Sequence, residues 1–256
     1  MKNIHYQVHP GRGPYLLLVH GFLSSSVQWL KNIEALGNIC RPVTAELWGH
    51  GSSPAPEDLA FYHPDQYVSQ FEKIRLALNT DRWFVCGYSL GAALTGRYSC
   101  KHSDRVIGHI MTNSNSAFAD QDQVAEWKKN AEKSGDNIKQ GGIQAIEKIP
   151  VHPRHAKKLP VEIYEALSKS AKQLSPIGIA NTLRETTPNA SIRDLVQTNR
   201  SPALLCWGNK EKRFQPLKEW AEQNMANLQV QPIDTGHAVN MQDSNAFNLA
   251  VNNFIR

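Results

Sequence analysis

Six short apolar runs recur along the chain, each bounded by turn-forming residues: "YLLLVHG" at 15–21, "PVTAELWGHG" at 42–51, "RWFVCGYS" at 82–89, "RVIGHIMTN" at 105–113, "SPALLCWGN" at 201–209 and "LQVQPIDTG" at 228–236. Stretches of helical period lie between most of them. Near-continuous apolar runs alternating with helices predict a mostly parallel sheet covered on both faces, an α/β architecture.

Residues 115–199 break this rhythm. No buried strand pattern occurs there, and polar amphipathic segments are interrupted by "SGDN", "QGG", "IPVHPRHAKKLP" and "TTPNAS". The breaks predict three or four helices, near 121–134, 141–148, 160–173 and 176–186, forming a helical insertion between two strands of the sheet.

A chain of 256 residues, 41% hydrophobic and 20% charged, fits one large globular domain or a domain with an inserted subdomain. The net charge is +5, but lysines and arginines are spread along the chain among acidic residues and no nucleic-acid-binding motif accompanies them, so nucleic acid is not an expected partner. Cys40, Cys86, Cys100 and Cys206 show no paired spacing, which argues for reduced thiols and against a disulfide frame or a cysteine metal site. The first residues, "MKNIHYQVHPGRG", lack the apolar core of a signal peptide, and "YLLLVHGFL" is far short of the ~20 residues a membrane helix needs. The expected setting is the cytoplasm, with no membrane span.

Candidate chemistry centres on "GYSLG" at 87–91. Gly-x-Ser-x-Gly after a strand and before a helix reads as a nucleophile elbow, a strained turn that thrusts the Ser89 hydroxyl out of the chain. The bland alternative is a glycine-rich turn with an incidental serine. In "LVHGF" the backbone N–H of Phe22, or of Leu23, could point where the N–H of Leu90 points, and two such donors would hold an oxyanion formed by attack on a carbonyl. His20 reads as a loop brace. His237, in "DTGHAVN" after the last strand-like run, is the best-placed general base, because that loop lies on the sheet edge where the Ser89 turn also opens. A carboxylate should orient its imidazole. Glu211 in "GNKEKRF" is the candidate; an ion pair with Lys210 or Lys212 is its bland alternative, and Asp234 is a competing carboxylate. Asn113, an amide, cannot act as that acid.

Taken together, "VHGF", "ELWGHGSSP", "GYSLGAA", "GNKEKRF" and "DTGHAVN" resemble the α/β-hydrolase superfamily in content and order. The resemblance implies an eight-stranded, mostly parallel sheet with helices on both faces, a hydrolase core at 1–115 and 200–256, and a helical cap at 116–199 that shapes the substrate pocket. It implies a serine hydrolase acting on a small-molecule ester through an acyl-enzyme on Ser89, with His237 and Glu211 completing the triad and no metal or organic cofactor. Glu46, where the superfamily usually has Asp, would brace a loop below the site. Within the superfamily the motifs are similar to two groups. One holds carboxylesterases and carbon–carbon bond hydrolases of ring-cleavage products. The other holds the menaquinone-pathway synthase that eliminates pyruvate to form a succinyl-hydroxycyclohexadiene carboxylate, whose carboxylated substrate would call on Arg97, Arg154 or Arg184. A ligand-binding module of the same fold with little turnover is a reading of a different class, prompted by glutamate at the acid position.

Overall fold

Each of the six apolar runs forms a strand in the computed structural model, which describes residues 2–256: β2 (Tyr15–Val19), β3 (Arg41–Ala45), β4 (Trp83–Gly87), β5 (Val106–Thr112), β6 (Ala203–Gly208) and β7 (Leu228–Ile233). All six pair in parallel, and a seventh, β1 (Tyr6–Val8), pairs antiparallel with β3 at one edge, giving the order β1-β3-β2-β4-β5-β6-β7. Among the described residues the sheet therefore has seven strands rather than eight. The segment before β2 supplies only the three residues of β1, because Pro10 and two glycines end the extended chain. Gly13 has φ +80°, and a Cβ on Gly11 would overlap the Cys40 carbonyl.

Alternation along the strands sorts side chains onto two faces. Leu17, Val19, Val85 and Leu205 join a core with α2 (Pro64–Ala77), α3 (Leu90–Lys101) and α7 (Gln215–Asn224). Leu16, Leu18, Cys86 and Cys206 face the other way, against α1 (Ile33–Gly37), α8 (Val239–Gln242) and α9 (Ser244–Ile255). Burial on both faces is why β2 reads as an unbroken apolar run.

Three further helices lie between β5 and β6: α4 (Gln121–Glu147), α5 (Val161–Ala171) and α6 (Pro176–Asn181), the last continuing into a π-helical turn, Thr182–Thr186. The expected break at "SGDN" does not occur. Asp120 caps α4 by accepting from the Gln123 N–H at 2.9 Å, and the helix runs through Gly135, where any Cβ would collide with the Arg184 side chain packed against it. Its interruption comes at Gly142, with φ +57° and ψ −143°.

This topology fixes where a site can form. The chain passes from β2 to β3 on one side and returns to β4 on the other, so the loops after β2 and β4 part at a switch point, the place where open α/β sheets bind ligands.

Candidate active site

Val19 is paired with Gly87 in the sheet register, and the Tyr88 N–H donates to the Val19 carbonyl at 3.0 Å, so the loops 20–23 and 88–90 leave the sheet side by side. Ser89 has φ +52° and ψ −115°, a conformation an L-residue adopts only under constraint and at a cost of order 1–3 kcal/mol. It occupies the N-cap position of α3, yet its hydroxyl makes no capping bond. A serine serving the turn would spend its oxygen on the helix N–H groups. Here the half-buried hydroxyl is left over.

The glycines around it are spacers. A Cβ on Gly21 would come within 2.6 Å of the Tyr88 ring and 3.2 Å of Ser89 Cβ, and one on Gly91 would overlap the carbonyls of Val19 and His20. The two loops meet because neither carries a side chain.

The N–H groups of Phe22 and Leu90 have no hydrogen-bond acceptor among the described residues, the latter because it opens α3, where helices leave N–H groups unpaired. Leu23 differs. Its N–H donates to His50 Nε2 at 3.2 Å, which removes it as a donor to any ligand. His20 is a brace: one ring nitrogen bonds the Gly21 carbonyl at 2.7 Å and Nε2 accepts from the Leu47 N–H at 3.0 Å. Both imidazoles are fully buried. Burial pushes His20 down to about 4, and burial together with the neighbouring His20 pushes His50 to about 3, so both are neutral near pH 7. Below them Glu46 accepts from Ser26 N–H at 3.1 Å, Ser26 Oγ at 2.8 Å and Ser52 N–H at 2.6 Å, tying the loop after β2 to the turn after β3.

On the other side of Ser89 the loops after β6 and β7 bring Glu211 and His237 together. His237 Nδ1 lies 2.9 Å from Glu211 Oε2 and 3.1 Å from Oε1. The loops close this far because Gly208, at the end of β6, lies against the Gly236 carbonyl without room for a Cβ. Burial pushes the Glu211 carboxyl up, but the hydrogen bond and charge of His237 and the Asn113 amide outweigh it, and the net shift is downward. Glu211 is not paired with a lysine: Lys210 instead meets Asp234, at 2.8 Å on the exposed surface. With Nδ1 committed to a carboxylate, Nε2 of His237 is the nitrogen left to accept a proton. Among the described residues no hydrogen bond joins it to Ser89; the two are linked through Tyr88, whose ring meets His237 edge-on with centroids 5.3 Å apart.

Asn113, set aside in the sequence because an amide cannot be the triad acid, has another part here, and its neighbours Thr112 and Ser114 were not singled out at all. Thr112, Asn113 and Ser114 are fully buried and successive, and each holds part of the site. Thr112 Oγ1 accepts from the Ser89 N–H at 3.3 Å and the Ser114 hydroxyl donates to the Ser89 carbonyl at 2.6 Å. Between them Asn113 Nδ2 donates to Glu211 Oε2 at 2.7 Å and to the Gly208 carbonyl at 3.0 Å, while its Oδ1 accepts from the Gly208 N–H at 2.9 Å. The available signal was the polar triplet that ends an otherwise apolar strand.

The three arginines that could receive a carboxylated substrate are engaged elsewhere. Arg97 pairs with Asp65 at 2.6 Å, Arg154 with Glu147 at 2.8 Å, and Arg184 with Asp136 and, at 3.2 Å, with Glu132.

Comparison with known proteins gives a consistent fold. Residues 14–244 match the family model described as alpha/beta hydrolase fold. A protein of Bacillus subtilis (strain 168), provisionally named 2-succinyl-6-hydroxy-2,4-cyclohexadiene-1-carboxylate synthase, is 22% identical over 253 residues, covering 96% of this chain and 92% of the relative. Among solved structures, MenH from S. aureus superposes with a TM-score of 0.86 at 21% identity, over 98% of this chain and 97% of that one. The enol-lactonase from Burkholderia xenovorans LB400 superposes with a TM-score of 0.77 at 19% identity, over 98% and 96%.

Proposed function

Because the chain belongs to the α/β-hydrolase fold family, we propose that it is a serine hydrolase that cleaves carboxylic esters through an acyl-enzyme on Ser89. The observation that carries this reading is the bond from His237 Nδ1 to Glu211 at 2.9 Å, which leaves Nε2 as an acceptor beside the elbow. In the proposed sequence His237 takes the Ser89 proton as Oγ attacks the ester carbonyl, and the N–H groups of Phe22 and Leu90 hold the oxyanion. His237 then gives the proton to the departing alkoxide. Water, deprotonated by the same imidazole, attacks the acyl carbonyl and frees Ser89, and Glu211 holds the ring throughout. No step calls for a metal or an organic cofactor.

We assign residues 1–115 and 200–256 to the catalytic core and 116–199 to a cap. Ile138, Ile146 and Ile179 of the latter pack with Leu23 and Phe22 of the proposed oxyanion loop. A cleft of about 720 Å³ opens on the cap itself among Ser134, Asn137, Ile138, Gln140, Lys148 and Leu183, and no residue of the proposed triad or oxyanion loop lines it. Four free, buried cysteines suit a cytoplasmic setting. Among the described residues no helix is long and apolar enough to cross a membrane.

The pyruvate-eliminating reading, suggested by the name of the B. subtilis relative, uses the same Ser, His and Glu. It needs a cation for the substrate carboxylates, and the pairing of Arg97, Arg154 and Arg184 with acidic side chains speaks against it. A panel of p-nitrophenyl esters of increasing acyl length, run beside ring-cleavage dienoates and the synthase substrate, separates these readings. Ester turnover lost in Ser89→Ala is expected; inertness toward every ester with turnover of a dienoate or of the synthase substrate would overturn the esterase reading.

A further inference from the structure

The positive charge of the chain is less evenly spread than its overall mixture suggests. Residues 148–161, "KIPVHPRHAKKLPV", carry four lysines and arginines and no acidic residue, while the whole chain holds 28 basic and 23 acidic side chains. Outside this stretch the molecule is nearly neutral.

The stretch links α4 to α5 as a knot of tight turns. The Ile149, His152, Pro153 and Ala156 carbonyls accept from the N–H groups of His152, His155, Ala156 and Leu159 in succession, and the His155 ring returns to the Glu147 carbonyl at 3.0 Å. The knot sorts its side chains. His152, Pro153 and Leu159 turn inward and are buried, with the His152 ring accepting from the Arg154 N–H at 3.2 Å. Lys148, Arg154, His155, Lys157 and Lys158 remain exposed, with Val151 at 60% and Val161 at 71% exposure beside them.

The two flanking carboxylates are already paired, Glu147 with Arg154 and Glu162 with Lys31. Lys148, Lys157 and Lys158 make no ion pair among the described residues. Three lysines without an ion pair and two bare valines thus stand exposed within the same fourteen-residue knot.

We propose that this knot docks the protein on an anionic lipid bilayer surface. Lysines near such a surface each gain about 1 kcal/mol, roughly fivefold in partitioning, and the valines can enter the headgroup boundary where a polyanion in water offers them nothing. Nucleic acid is the poorer fit, because the exposed part of the knot presents no Phe, Tyr or Trp on which bases could stack. The chemistry of the ester site is not involved.

Co-sedimentation of the full-length protein with vesicles tests the proposal. One set is phosphatidylcholine alone; the other is phosphatidylcholine mixed in equal parts with phosphatidylglycerol. Wild type is expected to partition onto the mixed vesicles at least about tenfold more than onto neutral ones, with the difference shrinking as salt is raised. A Lys148→Glu, Lys157→Glu, Lys158→Glu variant should lose that preference. Val151→Ser with Val161→Ser should weaken binding severalfold and keep its salt dependence. Unchanged circular dichroism and melting temperature would establish that both variants fold. Equal sedimentation of wild type and the triple lysine variant overturns the proposal, and so does wild-type binding to polyuridylate that vesicles fail to displace.

Discussion

Asn113 Nδ2 lies 2.7 Å from Glu211 Oε2, on the carboxylate oxygen that also receives His237 Nδ1. The end of β5 thus holds the residue after β6 that is hydrogen-bonded to the residue after β7. Replacing Asn113 by Ala removes this bond and leaves both polar groups of Gly208 without their side-chain partner, at a cost of about 1–3 kcal/mol per buried group. We expect Asn113→Ala to melt at a lower temperature and to lower kcat for the best ester about tenfold or more, with KM little changed. The acidic limb of its pH profile should move, because the Asn113 amide contributes to holding the Glu211 carboxyl down. A variant with an unaltered profile would make Asn113 a purely structural residue.

Glu211→Gln keeps the shape of the side chain and removes the charge that, in the proposed triad, selects the His237 tautomer. A loss of about 10³- to 10⁴-fold in kcat is expected, with the denaturation midpoint near that of wild type. Asp234→Asn should leave kcat unchanged, since Asp234 is exposed and paired with Lys210. Steady-state kinetics of the two variants decide which carboxylate orients the imidazole, and the reverse outcome would reassign the acid to Asp234.

Two glycines with positive φ should respond differently to alanine. Gly51, at φ +51°, has the Glu46 carboxylate where a Cβ would go, so Gly51→Ala must break the bonds Glu46 makes to Ser26 and Ser52 as well as strain the turn. A loss of about 3 kcal/mol or more is expected. Gly142, at φ +57° and ψ −143°, has nothing among the described residues within 4 Å of the added atom, so Gly142→Ala should cost only the backbone strain, about 1–3 kcal/mol as at Ser89, with no hydrogen bond lost. Thermal melts give the comparison, and equal losses would contradict it.

Stability should fall on mild acidification. His20, His50 and His109 are buried, and burial lowers them from 6.5 to about 4, 3 and 3. Since their folded values lie below the unfolded one, the unfolded chain takes up protons first as pH drops. The stabilisation is complete above about 6.5 and is lost progressively until the folded imidazoles themselves protonate near 4 to 3. Each histidine contributes a slope of about 1.4 kcal/mol per pH unit in that window. Glu211, held down in the fold, adds to the loss at the acid end. Guanidinium midpoints measured from pH 7 to pH 5 should decline steeply; a flat series would mean these rings are not buried neutral.

Much of this was legible in the sequence, and the failures have physical causes. Strands buried on both faces announce themselves, which is why all six apolar runs formed strands. β1 did not, because its three residues are mostly exposed at an edge. The "SGDN" break failed because Gly135 serves packing against Arg184 rather than chain reversal. Ser89, Glu211 and His237 were singled out by residue type and position, and of these the structure joins Glu211 to His237 by a hydrogen bond. Asn113 looked inert because its value lies in a partner 98 residues away, which only the pairing of β5 with β6 brings near. The basic knot was hidden by averaging charge over the whole chain.

Every step proposed above requires an activated Ser89, and intact-mass analysis after incubation with a fluorophosphonate reads that activation without a substrate. One covalent adduct per chain is expected, located on Ser89, formed fast in wild type, slowly in Glu211→Gln and not at all in Ser89→Ala. Folded wild-type protein that stays unmodified, or an adduct that persists in Ser89→Ala, would contradict it.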